Sequence, residues 1–315
     1  MKILVTGAAG AIGSHVAERL AELGHEVVGL DALTNYYDRA IKKLNVEDLR
    51  RQGIEMLLHD LVDDPLDSAK MVDVIYHFAA QPGISADTTF EDFLRNNIIS
   101  THRLLETARK NKKLKGFIHI STSSVYGAHA NGAETAEPRP TSYYGVTKLA
   151  GEQLAMAYHR EYNLPVIVLR LFSVYGPRER PEKLYHKLIK NILADQPFTL
   201  HKGSDRHIRS YSYIGDIVDG CVLALDRLDK VIGEIFNIGT DQPSTTSEGI
   251  KIVETLLDKP ARIIITPRRA GDQLETVANI SKARERLGYN PRTKLVEGLK
   301  AQVEWYKDLC RRLES

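Results

Sequence analysis

The first half of the chain alternates short apolar segments with longer segments in which apolar residues recur at helical spacing. The short segments predict strands, and several are too uniformly apolar for a sheet with one face in water. These predicted strands are residues 3–6, 26–31, 54–58, 74–78, 116–121 and 166–170. The longer segments predict helices at residues 12–23, 90–110 and 144–162. Strands that alternate with helices indicate an α/β fold built on a doubly wound parallel sheet.

After about residue 173 this alternation stops. Prolines, short strands and isolated helices follow, with helices predicted at residues 182–194, 247–257 and 295–313. We therefore interpret residues 1–172 as the domain of the parallel sheet. Residues 173–315 are interpreted mainly as a smaller α/β lobe over the carboxyl edge of that sheet, where ligands bind in such folds. The stretch 214–230 is expected to return to the first domain.

A glycine-rich loop, TGAAGAIG, lies between the first predicted strand and the first predicted helix. Gly7 permits a tight turn, Gly10 lets the backbone approach a diphosphate, and Gly13 allows close packing of helix on strand. Ala11 and Ile12 begin the helix, whose free N–H groups attract phosphate. A glycine turn without a ligand is the alternative, but the strand and helix on either side of the loop disfavour it.

Asp31 ends the second predicted strand, 18 residues beyond Gly13. A carboxylate there would accept hydrogen bonds from an adenosine ribose and would repel a 2′-phosphate, so it favours NAD over NADP. Asp60 and Leu61, after the third predicted strand, are candidate contacts for the adenine. The sequence therefore predicts a bound NAD.

Tyr144 and Lys148 begin a predicted helix and lie on one face of it, because they are four residues apart. They follow a strand end that carries the hydroxyls of Ser121 and Thr122. When NAD oxidises an alcohol, a tyrosine can take the hydroxyl proton only if its pKa falls from about 10 toward neutrality. A neighbouring Lys⁺ and a positive nicotinamide ring both favour the phenolate. A chance pair on a surface helix is the alternative interpretation.

The glycine loop, the strand-end hydroxyl and the Tyr/Lys pair, in this order, resemble the extended short-chain dehydrogenase/reductase family, specifically its nucleotide-sugar epimerases and dehydratases. The segments HFAA at 77–80, LRLFSVYGP at 169–177 and RSYSYI at 209–214 also match the family. The resemblance implies a Rossmann domain, tightly held NAD, and a homodimer formed through helices 90–110 and 144–162. It further implies cofactor contacts at Asn35, Phe78, Ala79, Ala80, Asn97, Ser121, Tyr144 and Lys148.

The residues after Thr122 bear on the reaction. Dehydratases of the family carry Asp-Glu at the two positions where this chain has Ser123 and Ser124. Hydroxyls do not act as acid or base near neutral pH, so water elimination by that route is disfavoured. What remains is oxidation at C4, rotation of the 4-keto sugar and return of hydride to its other face, which is C4 epimerisation.

The sugar-binding residues are predicted from the same resemblance. Candidates for the nucleotide are Thr199 and His201 beside the uracil, and Arg209 and Arg269 at the diphosphate, with Arg268 as the alternative to Arg269. Asp272 is a further candidate for substrate binding. Candidates for the sugar are Ser173, Arg178 and Arg180, in a segment that resembles UDP-glucuronate 4-epimerases. A guanidinium can hold a C6 carboxylate through two charge-assisted hydrogen bonds. Alternatively, both arginines pair with Glu179 and Glu182 and only fix the loop.

Composition narrows the remaining possibilities. Lys and Arg number 43 against 41 Asp and Glu, a net charge of +2 that does not suggest nucleic acid or a membrane as partner. The two cysteines, and the lack of a signal-like start or a membrane-length apolar run, favour the cytoplasm. No metal site is predicted, because the eleven histidines are scattered. Open alternatives are a UDP-glucose or UDP-N-acetylglucosamine 4-epimerase, a UDP-glucuronate decarboxylase, a reductase or NADH-releasing dehydrogenase, and an NAD(H)-binding redox sensor.

Overall fold

A computed structural model describes residues 1–83, 88–267 and 275–314. The strands are numbered in chain order. They are β1 (Lys2–Thr6), β2 (Glu26–Leu30), β3 (Glu55–Leu57), β4 (Val74–His77), β5 (Gly116–Thr122), β6 (His129–Ala130), β7 (Val166–Leu171), β8 (Val174–Tyr175), β9 (Phe198–His201), β10 (Ile208–Arg209), β11 (Ser212–Tyr213), β12 (Ile235–Ile238), β13 (Ser244–Thr245), β14 (Ile263–Thr266) and β15 (Glu275–Thr276).

The helices are numbered in the same way. They are α1 (Ala11–Glu22), α2 (Arg39–Arg51), α3 (Phe90–Phe93), α4 (Ser100–Ala108), α5 (Tyr143–Tyr162), α6 (Leu184–Leu193), α7 (Ile214–Asp226), α8 (Leu228–Val231), α9 (Thr246–Leu257), α10 (Ser281–Leu287) and α11 (Leu295–Glu314). A π-helix, Leu94–Ile99, joins α3 to α4 without a break. None of the helices in the described part of the chain combines the length and the apolarity needed to cross a membrane.

Within the described residues, seven parallel strands form one sheet in the order β12-β7-β5-β4-β1-β2-β3. Ile3 and Val5 of β1 belong to the core shared with α1 and α7, whereas Leu4 belongs to the core shared with α4 and α5. Every residue of β4, β5 and β7 is buried. Helices on both faces thus explain why these strands are uniformly apolar, as the sequence predicted.

A third core lies between α6, α9 and α11, and Tyr185, Ile250 and Val303 are among its buried side chains. Beside it, β9 and β14 form a parallel pair. A four-stranded sheet in the order β13-β10-β15-β6 takes β6 from the loop after β5. The loop after Thr122 is therefore tied to the smaller lobe.

The chain returns to the large sheet over more residues than predicted. Besides α7, strand β12 pairs with β7 at the sheet edge, and α10 packs against β12. Ala283 and Leu287 of α10 lie in the same core as β1. Strand β12 and helix α10 were not among the segments that the sequence predicted to return to the first domain. The division at residue 172 stays a prediction.

Helix α2 was not predicted. Its sequence is mostly polar, and only Ile41, Val46 and Leu49 supply the buried apolar face. Asp38 caps its first turn by accepting a hydrogen bond from the Ala40 N–H, at 2.8 Å. This capping residue is the signal that could have located the helix.

Candidate active site

A cavity of about 370 Å³ opens at the carboxyl edge of the large sheet. Its wall includes residues that follow β1, β4 and β5, at the point where the strand order reverses between β1 and β4. Ligands bind at such switch points in doubly wound sheets. The predicted site residues in this wall are Gly7, Gly10, Ala11, Ile12, Gly13, Asp31, Asp60, Leu61, Phe78, Ala79, Ala80, Ser121, Thr122, Tyr144, Lys148, Ser173 and Arg180.

The glycine loop has the close contacts that its sequence implied. Gly7 has φ +69°, and a Cβ on it would lie 2.7 Å from the Ala79 nitrogen. A Cβ on Gly13 would lie 2.3 Å from the Gly7 carbonyl oxygen. Gly10 caps α1 without a side chain, so the first N–H groups of the helix remain directed at the cavity. The loop therefore fits a dinucleotide diphosphate.

Asp31, the residue after β2, is buried beside the glycine loop. Its carboxylate accepts hydrogen bonds from the Ala9 N–H at 3.0 Å and the Leu33 N–H at 2.8 Å. Burial raises the pKa of Asp31, and the nearby ammonium of Lys42 opposes that shift. Lys42 is also buried in the cavity wall, and its Nζ donates to the Thr34 carbonyl at 2.9 Å. Sequence reasoning missed Lys42 because it missed α2.

Two predicted cofactor contacts are not in the cavity wall. Asn97 is buried in the π-helix, where its side chain bonds both the N–H and the carbonyl of Gln81, at 2.7 and 3.1 Å. It also donates to the Thr147 hydroxyl, at 3.0 Å. These bonds connect the loop after β4 to α5 at Thr147, next to Lys148. Asn97 can thereby hold the two segments in place. Asn35, although within the described chain, is likewise not part of the wall.

The catalytic candidates meet because α5 begins against the end of β5. The Ser142 hydroxyl caps α5 by accepting from the Gly145 N–H at 3.1 Å. A Cβ on Gly145 would lie 2.7 Å from the Ser124 carbonyl oxygen, so glycine allows the helix to approach the strand end. This approach brings Tyr144, Lys148 and Thr122 into one wall of the cavity.

Burial dominates the electrostatics of this group. It raises the pKa of Tyr144, whereas the Arg180 guanidinium and a hydrogen bond from the Thr122 hydroxyl act to lower it. Burial also lowers the pKa of Lys148 to about 8, and the Glu152 carboxylate opposes that change. The chain's own groups therefore do not produce the fall in the pKa of Tyr144 that the sequence suggested. The structure adds Arg180 as a charge that favours the phenolate.

A buried ion pair lies next to the catalytic candidates and joins β7 to α5. Arg170 of β7 binds Glu152 of α5 through two bonds of 2.6 and 3.0 Å, and both side chains are buried. The Ser121 hydroxyl donates to the same carboxylate at 2.8 Å. Sequence reasoning did not select this pair, although an arginine within an apolar strand was a signal for it.

The two sugar-binding arginines diverge. Arg180 lies in the cavity wall with Ser173, and its Nη1 is 3.2 Å from Glu182 Oε1. Arg178, with φ +63°, turns away and binds Glu18 of α1 through two bonds of 2.8 Å. The predicted substrate contact of Arg178 is thus not supported, because its guanidinium is already held by a carboxylate outside the cavity.

Three of the predicted nucleotide-binding residues, Thr199, His201 and Arg209, also lie outside the cavity wall. Thr199 is exposed on β9, and His201 Nδ1 lies 2.9 Å from both the Thr266 hydroxyl and the Pro267 carbonyl oxygen. Arg209 ends β10 in the four-stranded sheet. The other two predictions, Arg269 and Asp272, fall outside the described residues. The uracil and diphosphate contacts stay predictions.

Comparison with known proteins agrees with this geometry. The chain is 36% identical to the uncharacterized UDP-glucose epimerase YtcB of Bacillus subtilis, over 98% of this chain and 99% of that protein. It is 37% identical to UDP-glucuronate 4-epimerase 1 of Arabidopsis thaliana, over 97% of this chain and 76% of that protein. The crystal structure of UDP-glucuronic acid 4-epimerase from Bacillus cereus with UDP-glucuronic acid and NAD is 39% identical, with a TM-score of 0.93 over 98% of this chain and 100% of that one.

These likenesses confirm the predicted fold class and the resemblance to nucleotide-sugar epimerases. A family model supports the same assignment: that of the NAD dependent epimerase/dehydratase family matches residues 3–239. The chain therefore belongs to the NAD-dependent epimerase/dehydratase family.

Proposed function

We propose that this protein is an NAD-dependent UDP-glucuronate 4-epimerase that interconverts UDP-glucuronate and UDP-galacturonate. One observation carries the proposal. Thr122, Tyr144 and Lys148 line the same cavity as the glycine loop, and the guanidinium of Arg180 lies in that wall. The names of the Arabidopsis relative and the Bacillus cereus structure support the same substrate.

NAD would be held by the glycine loop and the first turn of α1 at its diphosphate, and by Asp31 at its adenosine ribose. When bound, it supplies the acceptor and donor of hydride and a positive charge beside Tyr144. The carboxylate of Asp31, buried and fixed by two backbone N–H groups, would repel a 2′-phosphate.

Tyr144 acts as the base in this proposal. Its phenolate takes the proton of the sugar O4 hydroxyl while the C4 hydride leaves, and it returns the proton when hydride re-enters from the other face. Lys148 stabilises the phenolate by its charge, and Thr122 aligns the O4 oxygen by a hydrogen bond. Because the proton and the hydride both return, the reaction needs no net oxidant.

Two features favour epimerisation over the related outcomes. Ser123 and Ser124 lie in the cavity wall after Thr122, and neither supplies the acid or base that elimination needs. A carboxylate held by Arg180 is also restrained from the orientation in which it would leave as CO₂ from the 4-keto sugar. An NAD(H)-binding redox sensor is disfavoured, because it has no need of the Tyr/Lys/Thr group.

The second candidate is a UDP-glucose 4-epimerase. Glu182 lies 3.2 Å from the Arg180 guanidinium and neutralises part of its charge, which would suit a neutral sugar. The name of the Bacillus subtilis relative agrees with this alternative.

Two further features of the protein are proposals of the same kind. We propose a homodimer through the predicted helices 90–110 and 144–162. Exposed apolar side chains on them, Phe90, Ile99, Val146 and Tyr162, support this, as does Tyr143 at the start of α5. Sedimentation of the purified protein as a monomer would remove that proposal. We also propose that it works in the cytoplasm, since Cys221 and Cys310 both carry free thiols.

The deciding experiment incubates the purified protein with UDP-glucuronate, UDP-glucose or UDP-N-acetylglucosamine and separates the sugar products. We expect UDP-galacturonate to form from UDP-glucuronate without release of CO₂. Formation of a pentose with CO₂ indicates a decarboxylase, and turnover of UDP-glucose alone supports the second candidate. No conversion of any of the three overturns the assignment.

A further inference from the structure

The guanidinium of Arg180, in the wall at the sugar end of the cavity, faces the carboxylate of Glu182, which is not itself part of that wall. Glu182 Oε1 lies 3.2 Å from Arg180 Nη1. About a third of the Glu182 side chain is exposed, but both of its carboxylate oxygens are buried. Neither oxygen accepts a well-oriented hydrogen bond from the described residues. The pair is thus held by charge rather than by the bidentate geometry that arginine and a carboxylate can form.

Further positive charge surrounds this pair. Lys42 and Lys183 also line the cavity, and Glu182 acts electrostatically on both ammonium groups. The Tyr36 ring covers Arg180, with its centroid 5.8 Å from the guanidinium carbon. Asp31 is the main carboxylate that acts on Lys42, and Glu179 is the main one that acts on Lys183. Glu182 is the carboxylate that pairs with Arg180, at the place where the sugar is expected.

We propose that Glu182 is a specificity-determining residue: it holds the Arg180 guanidinium while the sugar end is empty and releases it to the C6 carboxylate of an entering uronate. The inference rests on the proposed function. Glu182 acts through Arg180 and does not touch the reacting atoms.

The exchange is favourable only for a charged sugar. A uronate carboxylate can form two charge-assisted hydrogen bonds with the guanidinium, which is better than the poorly oriented contact with Glu182. Lys42 and Lys183 remain near Glu182 after release. A neutral CH₂OH group cannot replace a carboxylate beside a guanidinium, so with UDP-glucose Arg180 stays paired with Glu182. Glu182 thus weakens binding of the uronate, because the ion pair must first separate, and leaves binding of the neutral sugar nearly unchanged. It therefore determines specificity by limiting the preference for the uronate.

The test measures binding in the NAD-loaded protein on a Tyr144→Phe background, so that the sugars are not consumed. Calorimetry gives the Kd for UDP-glucuronate and for UDP-glucose with Glu182, with Glu182→Gln and with Glu182→Asp. Glu137→Gln is the matched control, because Glu137 pairs with Arg139 at the same i,i+2 spacing on the open surface. We expect Glu182→Gln to lower the Kd for UDP-glucuronate by about 3- to 10-fold and to change that for UDP-glucose by less than about 2-fold.

Glu182→Asp, which shortens the side chain, should lower the Kd for UDP-glucuronate by about 2-fold and keeps the test decisive if the Gln variant does not fold. A higher Kd in the variants would mean that Glu182 holds Arg180 in its substrate-binding position and would overturn the inference. An unchanged Kd, or equal changes for both sugars, overturns it as well. Failure of the proposed function is distinct, because the protein with Tyr144 and Glu182 intact would then not epimerise UDP-glucuronate.

Discussion

The two ends of the active-site cavity differ in what forms them: main-chain geometry at the cofactor end and charged side chains at the sugar end. At the cofactor end, backbone geometry makes the site: Gly7 and Gly13 are required by close approaches to main-chain atoms, and α1 presents free N–H groups. At the sugar end, charged side chains make the site, and each has a competing partner. Arg178 is taken by Glu18, and Arg180 is shared with Glu182. The first end is fixed before any ligand arrives, whereas the second can change its pairing.

The largest effect is expected where the two ends meet. Tyr144→Phe removes the group that takes and returns the O4 proton, and we expect kcat to fall by about 10³- to 10⁴-fold. The glycine loop is untouched, so bound NAD, measured by absorbance after release, should stay near the wild-type level. Tyr143→Phe is the control, since Tyr143 is adjacent to Tyr144 in α5 but does not line the cavity. A Tyr144→Phe variant with wild-type turnover would remove Tyr144 as the base.

Gly13→Ala tests whether the cofactor end depends on backbone approach. The added methyl would lie 2.3 Å from the Gly7 carbonyl oxygen, so α1 must move away from the loop. We expect the free energy of unfolding to fall by about 3 kcal/mol and the protein to lose NAD on purification. Glu22→Ala, on the exposed face of the same helix, should change neither. Full retention of NAD in Gly13→Ala would mean that the loop is more adaptable than these contacts indicate.

The sugar end is tested by a pair of arginine variants. Arg180→Ala should raise the KM for UDP-glucuronate by about 10- to 100-fold, because it removes charge-assisted hydrogen bonds to the C6 carboxylate. Arg178→Ala should leave that KM near wild type, since its guanidinium binds Glu18 outside the cavity. Steady-state kinetics of the two variants compare them directly. Equal effects on KM would show that the observed division between Arg178 and Arg180 does not persist during binding.

This contrast also separates what the sequence could predict from what it could not. The parallel sheet, the glycine loop and the cavity positions of Tyr144 and Lys148 follow from local periodicity and short spacings. The partner of Arg178 is 160 residues away in the chain, so no local pattern distinguishes it from Arg180. Lys42 was missed because α2 has a polar sequence. Strand β12 was missed because it lies in the part of the chain where strands and helices no longer alternate regularly.

The pKa of Tyr144 shows the same limit. The spacing of Tyr144 and Lys148 predicts a stabilised phenolate, but the balance between charge attraction and burial depends on the packed environment. In the folded chain burial has the larger effect and raises that pKa. Spacing identifies which groups meet, and three-dimensional packing sets their protonation.

The smallest predicted effect concerns stability and comes from Lys148. Burial lowers its pKa from the ordinary 10.5 to about 8, so between these pH values the unfolded chain holds a proton that the folded chain has released. The contribution of Lys148 to the free energy of unfolding therefore increases as pH rises from about 8 to 10.5. Below pH 8 the ammonium is buried in the folded chain, and its destabilising effect is greatest. Lys148→Met should raise the unfolding free energy by about 1–2 kcal/mol at pH 7 while abolishing turnover. Urea denaturation at pH 7 and pH 10 measures this gain, which should shrink at the higher pH. A Lys148→Met variant that is less stable than the parent at pH 7 would contradict this prediction. It would mean that the contacts of the ammonium stabilise the fold by more than its burial costs.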